Sequence, residues 1–423
     1  MTHPDMDDRR RQRVSNRDLR VALVHDWLTG MRGGEKCLEW LCRQFPNADL
    51  FTLLYRRGAV SPTIERMRIT TSFLERLPAV YRYYRYLLPL MPRAVESLSL
   101  PADVDLVVSL SHAVAKGVRV PRGVPHVCYC FTPMRYAWHL REDYFGPRSS
   151  SGGLRGSDGR QSAARRGPLA LARDLLLDRV RRWDQKTSGR PTHYVAISRT
   201  VADRIQACYG RPSTVIYPPV DVDYFSPADV AREDYYVCFS ALVPYKKVEL
   251  AVQACNRLAR RLVVIGDGPQ RGQLEQLAGP TVRFLGHLPD DEVRAQLRRC
   301  RALLFPGLED FGIVPVEAQA CGTPVIAFGQ GGATETVIAA AEDRVGTGLF
   351  FTPQTVDALA DAIGWLEGHP EQFTTARCRR QAALFSTDHF QQAMLDYLNA
   401  VLERGYSPDR SAVQAPAAGK QAA

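Results

Sequence analysis

Two carboxylates, Glu309 and Glu317, stand eight residues apart in the stretch GLEDFGIVPVEAQACGTPVIAF, Gly307 to Phe328. The apolar run Ala302 to Phe305 reads as a buried strand, followed by a loop carrying Glu309, a short helix opening near Gly312, and a new strand from Pro324. Pro315 suits a first helical turn, where a missing N–H costs nothing, and Gly322 with Pro324 suits a helix stop. The spacing therefore leaves the N–H groups of Gly312, Ile313 and Val314 without helical partners at a strand's carboxyl end, with the positive end of the helix dipole behind them. That is the chemistry of an anion site.

Other residues take meaning from the elements around them. His112 directly follows the apolar run VDLVVSLS, which puts it at a strand's carboxyl end, where parallel sheets place their ligands; a structural histidine fits there equally well. LRVALVHDW reads as a buried strand ending near Asp26, and Gly30, Gly33 and Gly34 follow it into an amphipathic helix. This loop is either a close approach for phosphate or sugar, or a plain tight turn. After the strand HVCYC come Arg135, Tyr136 and Trp138, which either face a cleft or pack.

The rest of the chain supplies the scaffold. At 423 residues, two domains of roughly 200 residues each are expected. Six short apolar runs in the second half (YVCFSA, RLVVIG, VRFLG, ALLF, PVIAF, GLFF) alternate with helical patterns, as in a parallel, doubly wound α/β sheet. The expected organisation is a basic, unstructured 1–18; a first Rossmann-like domain over 19–216 with a flexible basic loop at 148–167; a linker at 217–234; a second Rossmann-like domain over 235–387; a helix at 388–405 packing back on the first domain; and an unstructured tail at 406–423. Ser198 reads as the N-cap of a helix.

The formal charge of +10 calls for a polyanionic partner, either nucleic acid, anionic lipid or a phosphorylated small molecule. No nucleic-acid-reading module is recognisable. YRYYRYLLPLMPR, Tyr81 to Arg93, mixes aromatic, basic and apolar residues. It reads either as a surface meeting lipid headgroups or as a partly buried helix with snorkelling arginines. The ten cysteines, without a C-x-x-C pair or secretory leader, fit reduced thiols in a cytoplasmic protein, and no metal-ligand cluster is apparent.

On HDW with GGEK, SHAVAKGV, TPMRYAW, VPYKK, IGDGP and above all Glu309-DFGIVPV-Glu317, the chain resembles family 4 of the glycosyltransferases, the retaining GT-B enzymes, and within it the WbaZ-like mannosyltransferases of polysaccharide assembly. The resemblance covers roughly 19–403. It implies two Rossmann-like domains facing a cleft and transfer of a hexose, mannose from GDP-mannose, to a lipid-linked or growing glycan at the inner face of the cytoplasmic membrane. Neither a cofactor nor a metal is implied. A departing diphosphate needs positive charge, which Lys246 and the Gly312–Val314 amides would supply, with Lys247 standing in for an arginine that many relatives carry near Ala241.

The resemblance gives Glu309 to the donor sugar and Glu317 to the ribose, although an acid in a first helical turn gains about 0.3–1 kcal/mol from the dipole in any case. It assigns Gly33, Gly34, Gly266, Gly286, His287 and Phe311 to the donor side. His112 falls at the reacting centre, and Asp26, Arg135 and Phe131 on the acceptor side, where relatives commonly place histidine at the position of Phe131. Two rivals stand beside this reading: a sugar-nucleotide binder without activity, and a nicotinamide-dependent oxidoreductase suggested by the glycines of IGDGPQRG. The second is weakened because the third glycine is one residue late and no acid ends the next strand.

Overall fold

The computed structural model describes residues 19–135, 137–138 and 168–403. The segments 1–18, 148–167 and 406–423, and Tyr136, lie outside the described residues. Two compact units emerge: the first runs to Ala196, takes in Val201–Val215 and resumes at Met394, and the second comprises Ile197–Thr200 and Ile216–Ala393.

The first unit is built on seven parallel strands: β1 (Val21–His25), β2 (Asp49–Thr52), β3 (Arg68–Thr71), β4 (Leu106–Ser111), β5 (His126–Cys130), β6 (His193–Ala196) and β7 (Thr214–Val215), in the order β3-β2-β1-β4-β5-β6-β7. β1, β4 and β5 are buried at every position, the signature of central parallel strands covered on both faces. The second unit has six: β8 (Tyr236–Phe239), β9 (Leu262–Ile265), β10 (Val282–Gly286), β11 (Leu303–Phe305), β12 (Val325–Phe328) and β13 (Gly348–Phe351), in the order β10-β9-β8-β11-β12-β13. Both sheets grow outward from a central strand and then reverse. The reversal opens a crevice between β1 and β4 in one unit and between β8 and β11 in the other, where the following loops diverge to opposite faces.

Two stretches differ from their sequence reading. Tyr84, Leu88 and Met91 of the Tyr81 to Arg93 region, with Val80 just before it, are core residues, in a stretch of two short 3₁₀ turns and the helix Met91–Glu96 rather than a single helix. The segment read as a linker, 217–234, is laid onto the second unit. Arg232 donates to the carbonyls of Cys300 (2.8 Å) and Gly322 (2.6 Å), and the Glu233 amide donates to the Arg299 carbonyl (2.7 Å). Ser198 donates its hydroxyl to the Asp310 carbonyl (2.5 Å), while Glu335 accepts from the Arg199 and Thr200 amides at the start of the helix Arg199–Tyr209.

Candidate functional site

In the second unit the loops after β8 and β11 meet at the crevice. Lys246 ends a 3₁₀ turn, Pro244–Lys246, and its Nζ contacts Glu309 Oε1 directly. The backbones are pressed together as well: a Cβ on Gly307 would lie 3.0 Å from Lys246 Cα. Only glycine fits there without displacing a main chain. The Glu309–Gly312 loop is held from behind by the Gly332 amide, which donates to the Glu309 carbonyl (2.8 Å), and by Ser198 on Asp310. A Cβ on Gly332 would sit 2.3 Å from Phe311 Cα. Glu309 and Lys246 are thus largely buried, with side-chain exposures of 11% and 18%.

The loop ends at Gly312, whose φ of +89° belongs to the left-handed region, and the helix Ile313–Ala320 begins at once. Its first amides, at Ile313 and Val314, have no intrahelical acceptor and face the carboxyl end of β11. Because the helix starts at Ile313, Glu317 lies in its second turn, not its first, and is buried. The dipole argument for that glutamate is correspondingly weaker.

The neighbouring strand ends continue the site. Gly266 (φ +120°) donates its amide to the Gly286 carbonyl (2.7 Å), and a Cβ there would meet the Ser240 carbonyl oxygen at 2.0 Å, so the ends of β8, β9 and β10 are in close register. His287 is exposed just beyond. One expectation is corrected. Phe311 does not present its ring to a ligand: it is buried against Tyr217 (5.7 Å) and Phe385 (5.6 Å) and serves to pin the loop. Lys247 takes a left-handed φ of +53° at the start of the helix Val248–Arg257, and its Nζ lies 3.7 Å from Glu249.

The crevice of the first unit is organised around Asp26. Its carboxylate is wholly buried and accepts the backbone amides of His112 (2.7 Å), Ala113 (3.0 Å), Val114 (2.7 Å) and Ala115 (2.7 Å). His112 Nδ1 lies 3.0 Å from the same carboxylate, so its Nε2 is the ring nitrogen turned outward, on a side chain 29% exposed. Burial alone would raise the Asp26 pKa; the charge and hydrogen bonds of His112, with His25, overcome it and hold the carboxyl well below the usual range. Asp26 is therefore spent on the turn that carries His112 and has no face for an acceptor.

Around His112 stand Trp27 (ring centroids 4.5 Å) and Phe131 (6.4 Å), the latter half-buried. A Cβ on Gly34 would lie 3.2 Å from the Phe131 ring. Gly33 opens the helix Gly33–Gln44, and Arg135 is half-buried beyond β5.

Two arrangements escaped sequence reasoning. His25 Nε2 lies 3.5 Å from Glu35 Oε1, and both groups are buried beneath the glycine loop; Glu35 Oε2 accepts the Arg32 amide (3.0 Å). Lys116 and Asp184 form a buried ion pair (3.0 Å). Its lysine also donates to the Asp184 carbonyl (2.7 Å) and its carboxylate accepts Trp138 Nε1 and Tyr209 OH, each at 2.8 Å. Trp138 thus packs, and the pair fixes the turn that caps Asp26. Among the described residues no group of three or more His, Cys, Asp or Glu could hold a metal ion.

Residues 31–224 match the model of Glycosyltransferase Family 4, and residues 225–383 that of the Glycosyl transferases group 1. The chain carries family 4 and group 1 glycosyltransferase domains. The chain is 31% identical over 207 residues to a GDP-mannose-dependent alpha-(1-6)-phosphatidylinositol monomannoside mannosyltransferase of Mycolicibacterium smegmatis, across 42% of this chain and 53% of that one. It is 31% identical over 227 residues to a D-inositol 3-phosphate glycosyltransferase of Mycobacterium avium, across 48% and 52%. The chain spans about half the length of the curated relatives it matches.

Among solved structures, Anabaena HepE in complex with UDP-glucose aligns with a TM-score of 0.63 at 19% identity, over 90% of this chain and 100% of that one. Sucrose-phosphate synthase from Thermosynechococcus elongatus aligns with a TM-score of 0.64 at 17% identity, over 91% and 100%. These likenesses speak for the fold of the glycosyltransferase domains: two Rossmann-like α/β domains of the GT-B class.

Proposed function

We propose that this chain is a retaining hexosyltransferase of the WbaZ-like subgroup. It moves mannose from GDP-mannose to a lipid-linked or growing glycan in cell-surface polysaccharide synthesis. The observation that carries the reading is the contact of Lys246 with Glu309 at the reversal point of the second sheet, beside the free amides of the helix Ile313–Ala320. A sugar nucleotide laid along that crevice meets positive charge and N–H donors at its diphosphate and a carboxylate at its sugar. In the step proposed, the bond from sugar C1 to the diphosphate oxygen breaks and its electron pair leaves on the diphosphate. The acceptor hydroxyl oxygen bonds to C1 from the same face, and its proton passes to the departing phosphate oxygen. Lys246 and the helix amides balance the charge that develops, so the reading calls for no metal. Glu317, Gly266, Gly286 and His287 complete the donor side, and His112 with Phe131 and Arg135 is assigned to the acceptor side.

The named donor of the mycobacterial relative supports GDP-mannose. Membrane proximity is supported by Phe73 (41% exposed), Tyr86 (82%) and Leu90 (40%), which stand exposed among Arg76, Arg82, Arg85 and Arg93 in the first unit. Basic residues beside an anionic bilayer contribute about 1 kcal/mol each. Among the described residues no helix is long and apolar enough to cross a membrane, and the reading is of peripheral attachment at the inner face.

The test is a panel of GDP-, UDP- and ADP-sugars scored by protection against thermal unfolding. A ligand at about 100 times its dissociation constant adds about 2.7 kcal/mol. Protection by GDP-mannose above the others is expected; protection by none, or tight binding of reduced nicotinamide cofactor instead, would overturn the reading.

A further inference from the structure

We infer that Glu309 makes this site discriminate between an intact sugar nucleotide and the nucleoside diphosphate left after transfer. The inference rests on the proposed reading of the site and adds to it a reason for product release.

The lysine that would hold a diphosphate is already occupied, since Glu309 Oε1 contacts its Nζ. A phosphate that binds Lys246 shares its ammonium, which has three N–H donors, with Glu309. The two main chains cannot part easily to make room. The Gly307 backbone is packed on Lys246, the Glu309 carbonyl is bonded to the Gly332 amide, and the Asp310 carbonyl is bonded to Ser198. Any exchange of partners must therefore be made by the side chains, and it sets the phosphate beside a largely buried carboxylate. An anion in that position needs new donors or it resists the exchange.

What the incoming molecule offers Glu309 differs between substrate and product. A sugar on the diphosphate carries hydroxyl donors, so the carboxylate gains donors as the phosphate draws on its lysine. A bare nucleoside diphosphate offers no hydroxyl beyond its terminal phosphate and carries more negative charge there. It leaves Glu309 with no added donor and facing a like charge. Glu309 thus penalises the product and spares the donor. The same carboxylate that orients the sugar weakens the grip on what remains once the sugar is gone.

The experiment is calorimetric titration of GDP and GDP-mannose into the full chain, as wild type and as Glu309→Gln, with Glu309→Ala as a second variant and circular dichroism to confirm that each is folded. The glutamine cannot hold Lys246 as an ion pair and carries no charge to repel phosphate. GDP affinity should rise on the order of tenfold or more in both variants, while GDP-mannose affinity stays level or falls, so that the preference for donor over product collapses. GDP affinity unchanged or reduced in both folded variants would overturn the inference while leaving the donor site in place. Absence of binding of both ligands to the wild type would overturn the proposed function and this inference with it.

Discussion

Replacing Asp26 by asparagine should cost the first domain a large share of its stability. In the folded chain Oδ2 accepts the His112 and Ala113 amides and Oδ1 those of Val114 and Ala115. Asparagine keeps the shape but exchanges one oxygen for an NH₂ donor, so whichever way the amide is turned, two buried backbone N–H groups lose their acceptor. At about 1–3 kcal/mol for each of the two orphaned groups, a loss of about 2–6 kcal/mol is expected. The loss must depend on pH. The folded-state pKa of Asp26 is depressed, so its contribution is fully present above the unfolded carboxyl value near 4 and fades as pH falls below it. Urea unfolding at pH 7 and pH 3 reads both effects, and the gap between wild type and variant should narrow by about 1 kcal/mol at the lower pH. A variant within about 1 kcal/mol of wild type at pH 7, or a gap that does not change with pH, would refute the assignment of Asp26 as the clamp of the His112 turn.

Three further outcomes follow from the same structure. Lys116→Met leaves the Asp184 carboxylate buried without its cation and should cost about 3–5 kcal/mol in urea unfolding, part of it recovered when Asp184→Asn is added. Gly332→Ala drives a Cβ toward Phe311 Cα and the Asp310 carbonyl, so it should displace the Glu309 loop and weaken GDP-mannose binding more than it lowers overall stability; equal binding would show the loop to be indifferent to its support. His126 is fully buried, and burial pushes its pKa down to about 3. The unfolded chain therefore takes up a proton near pH 6.5 that the folded chain refuses, and stability falls as pH drops through that window. His126→Gln should remove about 1 kcal/mol of the wild-type decline between pH 7 and pH 5.5.

Much of the scaffold was legible because central parallel strands are continuous apolar runs. VRFLG and GLFF coincide with β10 and β13, and the pattern from Asp290 to Arg299 is a helix with those bounds. β3 was missed because RITT is an edge strand with alternating exposure and no apolar run. The loop from Gly307 to Gly312 could be read locally, since Gly312 and Pro315 mark where a helix begins. The side-chain roles could not. Phe311 lies within a motif, yet its direction is decided by Tyr217 and Phe385, far away in sequence. The pairs Asp26–His112 and Lys116–Asp184 join residues separated by 86 and 68 positions, and only the closing of the sheet brings them together.

The central claim is that Lys246, set against Glu309 at the end of β8, holds the diphosphate of a sugar nucleotide. Calorimetric titration of GDP-mannose into the wild type and into folded Lys246→Ala tests it most directly. The account predicts measurable binding to the wild type and a loss of affinity on the order of tenfold or more in the variant, the worth of a charge-assisted contact. Equal affinity in the two proteins would contradict it.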